Sequence, residues 1–93
     1  MTREEAEHMH KQVPEWTLNA EGTVLTRSFP FKDFQKALDF VNMVGEAAQA
    51  EWHHPDIKLG WGKAEITFTT HSIRGLSEND FIMAAKVDAL VRP

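Results

Sequence analysis

The stretch Ala64-Glu65-Ile66-Thr67-Phe68-Thr69-Thr70-His71 decides the fold. Ala64, Ile66 and Phe68 share one parity, while Glu65, Thr67, Thr69 and His71 share the other. Successive side chains of a strand point to opposite faces, so the segment is predicted to lay an apolar row on a core and a polar row in solvent. A sheet with one covered and one open face is antiparallel, since parallel strands are buried on both sides. His71 falls in the polar row at the strand's end, where a side chain reaches solvent or ligand.

Upstream, Ile57, Leu59 and Trp61 lie on one parity, and Gly60-Trp61-Gly62 reads as a turn. These features make the third and fourth strands hairpin partners. Asp33 is a good N-cap for the longest helix, Phe34 to Ala50. Phe34, Ala37, Leu38, Val41, Val44, Gly45 and Ala48 recur at three- and four-residue steps, a stripe whose natural partner is a sheet. Phe40 and Met43 fall off that stripe, and the flank they form is either a second layer of core or, as the slightly preferred expectation, a contact with a neighbouring subunit.

Trp16 to Asn19 and Thr23 to Phe31 read as a first hairpin around Ala20-Glu21-Gly22, with Leu25, Phe29 and Phe31 on one face. Pro30 lies near the strand's end, where a missing amide donor is tolerable. A short polar helix, Glu4 to Gln12, is stopped by Val13-Pro14, because a residue before proline avoids the helical region. Its His8 and His10 are expected in solvent. Ser77-Glu78-Asn79-Asp80 resembles a capping box that opens a last helix from Glu78 to Val91. The element order is therefore α-β-β-α-β-β-α.

Composition sets the class. The 93 residues are expected to form a single domain, 1–93, near the lower end of the usual size range. With 42% hydrophobic and 26% charged residues the chain is an ordinary globular one. It has no cysteine, which excludes disulfides and thiolate metal ligation and fits a reducing, cytoplasmic setting. The start, Met1-Thr2-Arg3-Glu4-Glu5, is polar, so no secretory signal is expected. No apolar run is long enough to span a membrane. A formal charge of -4 with no basic run argues against nucleic-acid binding.

Three of the 5 histidines fall in one segment, as His53-His54-Pro55 and then His71, with Trp61 between them and Asp80 after them. Imidazole is the side chain whose unperturbed pKa lies nearest neutrality, so such a cluster suits proton transfer to a bound small molecule. Pro55 stiffens the link that carries the pair. Neighbours in an extended link point in different directions, so His53 and His54 are not expected to share one task. Asp80 offers two readings, a helix cap or a carboxylate that fixes an imidazole tautomer. Adjacent histidines rarely chelate one ion comfortably and no HExxH pair is present, so no metal is expected. Ser28, Ser72 and Ser77 lack a nucleophile elbow, and Gly60 and Gly62 open no phosphate-binding helix.

Together, His53-His54-Pro55, Trp61, Thr69-Thr70-His71 and Gly75-Leu76-Ser77-Glu78-Asn79-Asp80 resemble the pterin-4a-carbinolamine dehydratases. Pro14-Glu15-Trp16, Arg27-Ser28-Phe29-Pro30-Phe31 and Asp33-Phe34 through Phe40-Val41-Asn42 extend the likeness to nearly the whole chain. The resemblance implies an α+β fold, a four-stranded antiparallel sheet with three helices on one face. It implies a hydro-lyase that removes water from 4a-hydroxytetrahydrobiopterin and recycles the cofactor of aromatic amino acid hydroxylases, itself needing no cofactor. His53, His54, His71 and Asp80 would be catalytic. His53, Pro55, Trp61 and Thr70 would contact the pterin, and the chain would be a homodimer or homotetramer. Relatives of this fold also act as binding modules, one on a homeodomain transcription factor and others in assembly of a carbon-fixing enzyme. The family often has an acid four residues before the histidine pair; here Gln49 stands there, which leaves either Glu46 or Glu51 nearby to substitute or the acid to be dispensable.

Overall fold

The computed structural model describes residues 1–92; the expected domain ends one residue further, at Pro93, which lies outside them. Its elements are α1 (Arg3–His10), β1 (Thr17–Leu18), β2 (Leu25–Pro30), α2 (Phe34–Glu51), β3 (Asp56–Gly60), β4 (Lys63–Phe68), a 3-10 turn (His71–Ile73) and α3 (Glu78–Ala89). The order is the expected one. Boundaries differ most in the strands, since β1 keeps only two residues and β4 stops at Phe68 rather than His71.

All four strands pair antiparallel in the order β1-β2-β4-β3. β4 inserts between β2 and β3, which therefore run parallel to each other and need α2 as the crossover between them. Leu25 pairs with Phe68 and Phe29 with Ala64 across β2 and β4, so the apolar rows of both strands lie on one face. The helices cover that face. Ala64, Ile66 and Phe68 are buried while Lys63, Glu65 and Thr67 are not, as the alternation predicts.

α1 starts at a capping box in which Thr2 and Glu5 exchange side-chain and backbone hydrogen bonds. The backbone hydrogen bond from Thr2 is the main reason the Glu5 carboxyl lies below its ordinary value. Gly22 turns β1 towards β2 with φ of 73°, and a Cβ there would meet Arg3 Cγ at 2.9 Å. Glycine alone takes that conformation and that approach freely.

Two expectations are corrected. Phe40 is not on an exposed flank; it is 1% exposed, its ring 4.7 Å from that of Phe29 and 5.0 Å from that of Phe31. The buried face of α2 is Ala37, Phe40, Val44 and Ala48, whereas Phe34 and Gly45 of the expected stripe are exposed. The stripe is rotated by roughly 50°, half a residue step. The large Phe40 ring takes the slot over the β2 aromatics, and a glycine gains nothing there. His10 is not fully solvated either. It is half-buried and its Nε2 donates to the Trp16 carbonyl at 2.5 Å. Trp16 in turn donates from Nε1 to Asp88 at 2.8 Å, and Arg27 meets the same carboxylate at 2.8 Å, tying α1, β2 and α3 around the first hairpin.

Candidate active site

The topology brings three segments to one end of the sheet. β3 begins there, so the link after α2 carries His53, His54 and Pro55 to that end. β4 finishes there, delivering Thr70 and His71, and α3 starts there with Asp80 in its first turn. Asp56 pairs with Thr67 at this end, and Gly60 pairs with Lys63 at the other.

Asp80 is the centre. Its carboxylate is fully buried, and Oδ1 accepts from His53 Nε2 at 2.5 Å. Oδ2 accepts from the Thr70 hydroxyl at 2.7 Å, from the Ser77 amide at 2.9 Å and, more distantly, from the Ser77 hydroxyl at 3.5 Å. An isolated buried carboxylate costs several kcal/mol, and hydrogen bonds to both oxygens offset that cost. Capping and holding an imidazole are thus both functions of Asp80, one oxygen for each. With Nε2–H donated to Asp80, Nδ1 of His53 is the ring nitrogen left to meet other groups. The His53 ring also stacks on Phe68, centroids 6.0 Å apart and planes within 15°.

His54 goes the other way. It is exposed, its Nε2 lies 2.9 Å from Gln49 Oε1, and its ring meets the Trp52 indole edge-on at 5.1 Å. Gln49, at the position where the family often has an acid, is thus the side-chain partner of His54. Glu51 is paired with Lys86 at 2.7 Å instead. His71 is exposed and opens the 3-10 turn directly after Thr70, at the rim of the Asp80 network. Thr70 is also clamped by reciprocal backbone bonds with Gly75, 2.7 and 3.4 Å long.

Trp61 stands apart. It sits in the β3–β4 turn, 72% exposed, with the length of the hairpin between it and the histidines. At about 3.3 Å per residue that separation is on the order of 15 Å, so one chain does not bring Trp61 to His53. Pro55 is half-buried beside the pair. An open cavity of about 640 Å³ lies between α1 and the start of α3, lined among others by Met9, Leu76 and Glu78; of the Asp80 network only Ser77 reaches it. Among the described residues no group of three or more His, Asp or Glu side chains converges as a metal site would require.

One residue of this end escaped the sequence reading. Trp52 ends α2 in the left-handed conformation, φ 52° and ψ 43°. Its amide bonds to Gln49 O at 3.3 Å and that of His53 to Ala48 O at 3.0 Å, the paired closure that glycine usually supplies. An L residue there gives up about 1–2 kcal/mol. The tryptophan pays this while remaining 74% exposed.

A buried carboxylate thus fixes one histidine of an adjacent pair at one end of an antiparallel sheet covered by helices. The chain belongs to the pterin 4 alpha carbinolamine dehydratase family, whose model matches residues 1–90. It is 58% identical over 90 residues to a protein of Halorhodospira halophila, covering 97% of this chain and 83% of that one. It is 56% identical over 90 residues to one of Methylococcus capsulatus, covering 97% and 79%. Both relatives are provisionally named pterin-4-alpha-carbinolamine dehydratases. Among solved structures it resembles a transcriptional coactivator/pterin dehydratase from Brucella melitensis, with a TM-score of 0.91, 30% identity and coverage of 99% and 98%. A pterin dehydratase-like RuBisCO assembly factor of the alpha-carboxysome shares the fold, with a TM-score of 0.70, 23% identity and coverage of 82% and 88%.

Proposed function

We propose that this protein dehydrates 4a-hydroxytetrahydrobiopterin to the quinonoid dihydropterin by histidine acid-base catalysis. The observation that carries the reading is the buried Asp80 carboxylate holding His53 next to His54, with Thr70, the chain neighbour of His71, donating to the same carboxylate. The reaction breaks the C4a–O bond. Hydroxide leaves with a proton from a general acid, as water, while the N5 electron pair forms the C4a–N5 double bond. The N5 proton then passes to a base. One positioned acid and one positioned base suffice, and catalysis of this kind contributes about 10²–10⁴-fold.

His54 and His71 are the exposed pair that exchange protons with the substrate, and His53, fixed by Asp80, orients it through Nδ1. Pro55 keeps the link rigid. No metal or other cofactor enters these steps. The pterin would come from an aromatic amino acid hydroxylase, and the protein would act as a dimer or tetramer. Stopped-flow absorbance on chemically generated carbinolamine tests the proposal, with acceleration over buffer expected, unchanged by EDTA. No acceleration defeats the enzyme reading, and loss of rate with EDTA defeats its metal-free form.

A second reading, a non-catalytic assembly or coactivator module, draws on what the two solved relatives are called. It would use exposed apolar surface such as Met43 rather than the histidines. A variant lacking both His54 and His71 that keeps full biological function would favour it.

A further inference from the structure

We propose that the Trp52 indole is the aromatic face on which the planar ring of the substrate stacks, an inference that rests on the pterin reading above. Neither the backbone nor the core calls for tryptophan at this place. The left-handed turn at the end of α2 favours glycine, and an indole 74% exposed fills no part of the interior. What the position does supply is direction. Three consecutive residues leave the turn with different duties: Trp52 outward, His53 inward to Asp80, and His54 outward against the indole at 5.1 Å with planes 80° apart. The His54 Nε2 contact with Gln49 at 2.9 Å holds that imidazole beside the indole.

The distribution of aromatic surface points to the same residue. Three aromatic side chains are strongly exposed among the described residues: Phe34, Trp52 and Trp61. Phe34 starts α2 and Trp61 tips the β3–β4 hairpin, so both lie at other places on the fold. Trp52 alone stands at the histidine end. A flat, nitrogen-rich bicycle can offer one face to the indole while its edge meets the His54 imidazole. Base-on-aromatic stacking of this kind is tolerant of substituents and adds affinity to ground and transition states alike. Trp52 is thus a binding residue that sets KM.

Titration calorimetry with 7,8-dihydrobiopterin, together with kcat and KM on the carbinolamine, tests this in Trp52→Gly and Trp52→Phe. Trp52→Gly is expected to weaken binding and raise KM about tenfold, the usual scale of one stacked base, while kcat falls less than threefold. Its melting temperature should not drop, because glycine adopts the left-handed turn freely. Trp52→Phe should stay within about threefold of the parent in KM, since a ring face remains. Binding by Trp52→Gly equal to the parent overturns the proposal, as does a phenylalanine variant as weak as the glycine one. A smaller particle by light scattering would overturn it too, because the indole would then cover a subunit contact. If the parent protein itself neither binds the dihydropterin nor accelerates dehydration, the dehydratase reading falls and Trp52 falls with it. A parent that does both beside an unaffected glycine variant removes Trp52 alone.

Discussion

His53 and Asp80 stand 27 residues apart in the chain, and their side chains meet at 2.5 Å with the carboxylate wholly buried. Asp80 accepts at both oxygens from groups that can only donate there, and Oδ2 is already taken by the Ser77 amide and the Thr70 hydroxyl. The carboxylate therefore dictates which His53 nitrogen carries a proton.

Asp80→Asn should invert that choice. Its amide oxygen must face the Ser77 N–H, which leaves the NH₂ pointing at His53 Nε2 and pushes the imidazole proton to Nδ1. Turnover is expected to fall about 10²-fold or more, with a stability loss of about 1–3 kcal/mol because the buried hydrogen bonds lose their charged acceptor. Nitrogen chemical shifts of the His53 ring report the tautomer directly. An unchanged Nε2–H tautomer would sink this account.

His54→Ala and His71→Ala should each lower turnover by roughly 10²–10⁴-fold if these two exchange protons with the substrate. Both side chains are exposed, so the circular dichroism spectrum should remain that of the parent. A double variant at full rate would take both residues out of the mechanism.

Thr70→Val keeps the side chain's volume but removes a donor from Asp80 Oδ2 and a partner from the Ser77 hydroxyl, 3.0 Å away. The resemblance implies pterin contact at Thr70, yet its hydroxyl is committed internally. The expected result is a drop in kcat of about tenfold with KM nearly constant, and a stability cost of about 1–2 kcal/mol. A rise in KM alone would instead mean that the hydroxyl binds substrate.

Phe40 and Met43 should behave differently. Phe40→Ala opens a cavity among Phe29, Phe31 and the other core aromatics, at about 3–5 kcal/mol in urea denaturation. Met43 is 41% exposed, so Met43→Asp should leave the fold intact. If α2 carries the subunit contact, light scattering will show Met43→Asp as a smaller particle than the parent. Equal particle sizes would move the contact elsewhere.

The order of elements was legible because each signal is local. The period of two in Ala64–Phe68, the Asp33 cap with Lys36, and the Ser77–Asp80 box all operate between residues at most four apart. The candidate residues themselves could be named from spacing and resemblance, since an adjacent histidine pair with a following histidine and aspartate is visible in any one-dimensional reading. Tertiary structure decided the rest. The insertion of β4 between β2 and β3 joins Leu25 to Phe68, and nothing within either segment specifies that partner. Which side of α2 is buried depended on the rings of Phe29 and Phe31, so Phe40 turned inward against the simpler stripe. Thr70 and Ser77 became holders of Asp80, Trp61 was carried to the far end of its hairpin, and Trp52 was forced into a left-handed turn. Local periodicity specifies which face a residue shows. What meets that face is set by packing between segments distant in the chain, and that is fixed only when the whole core closes.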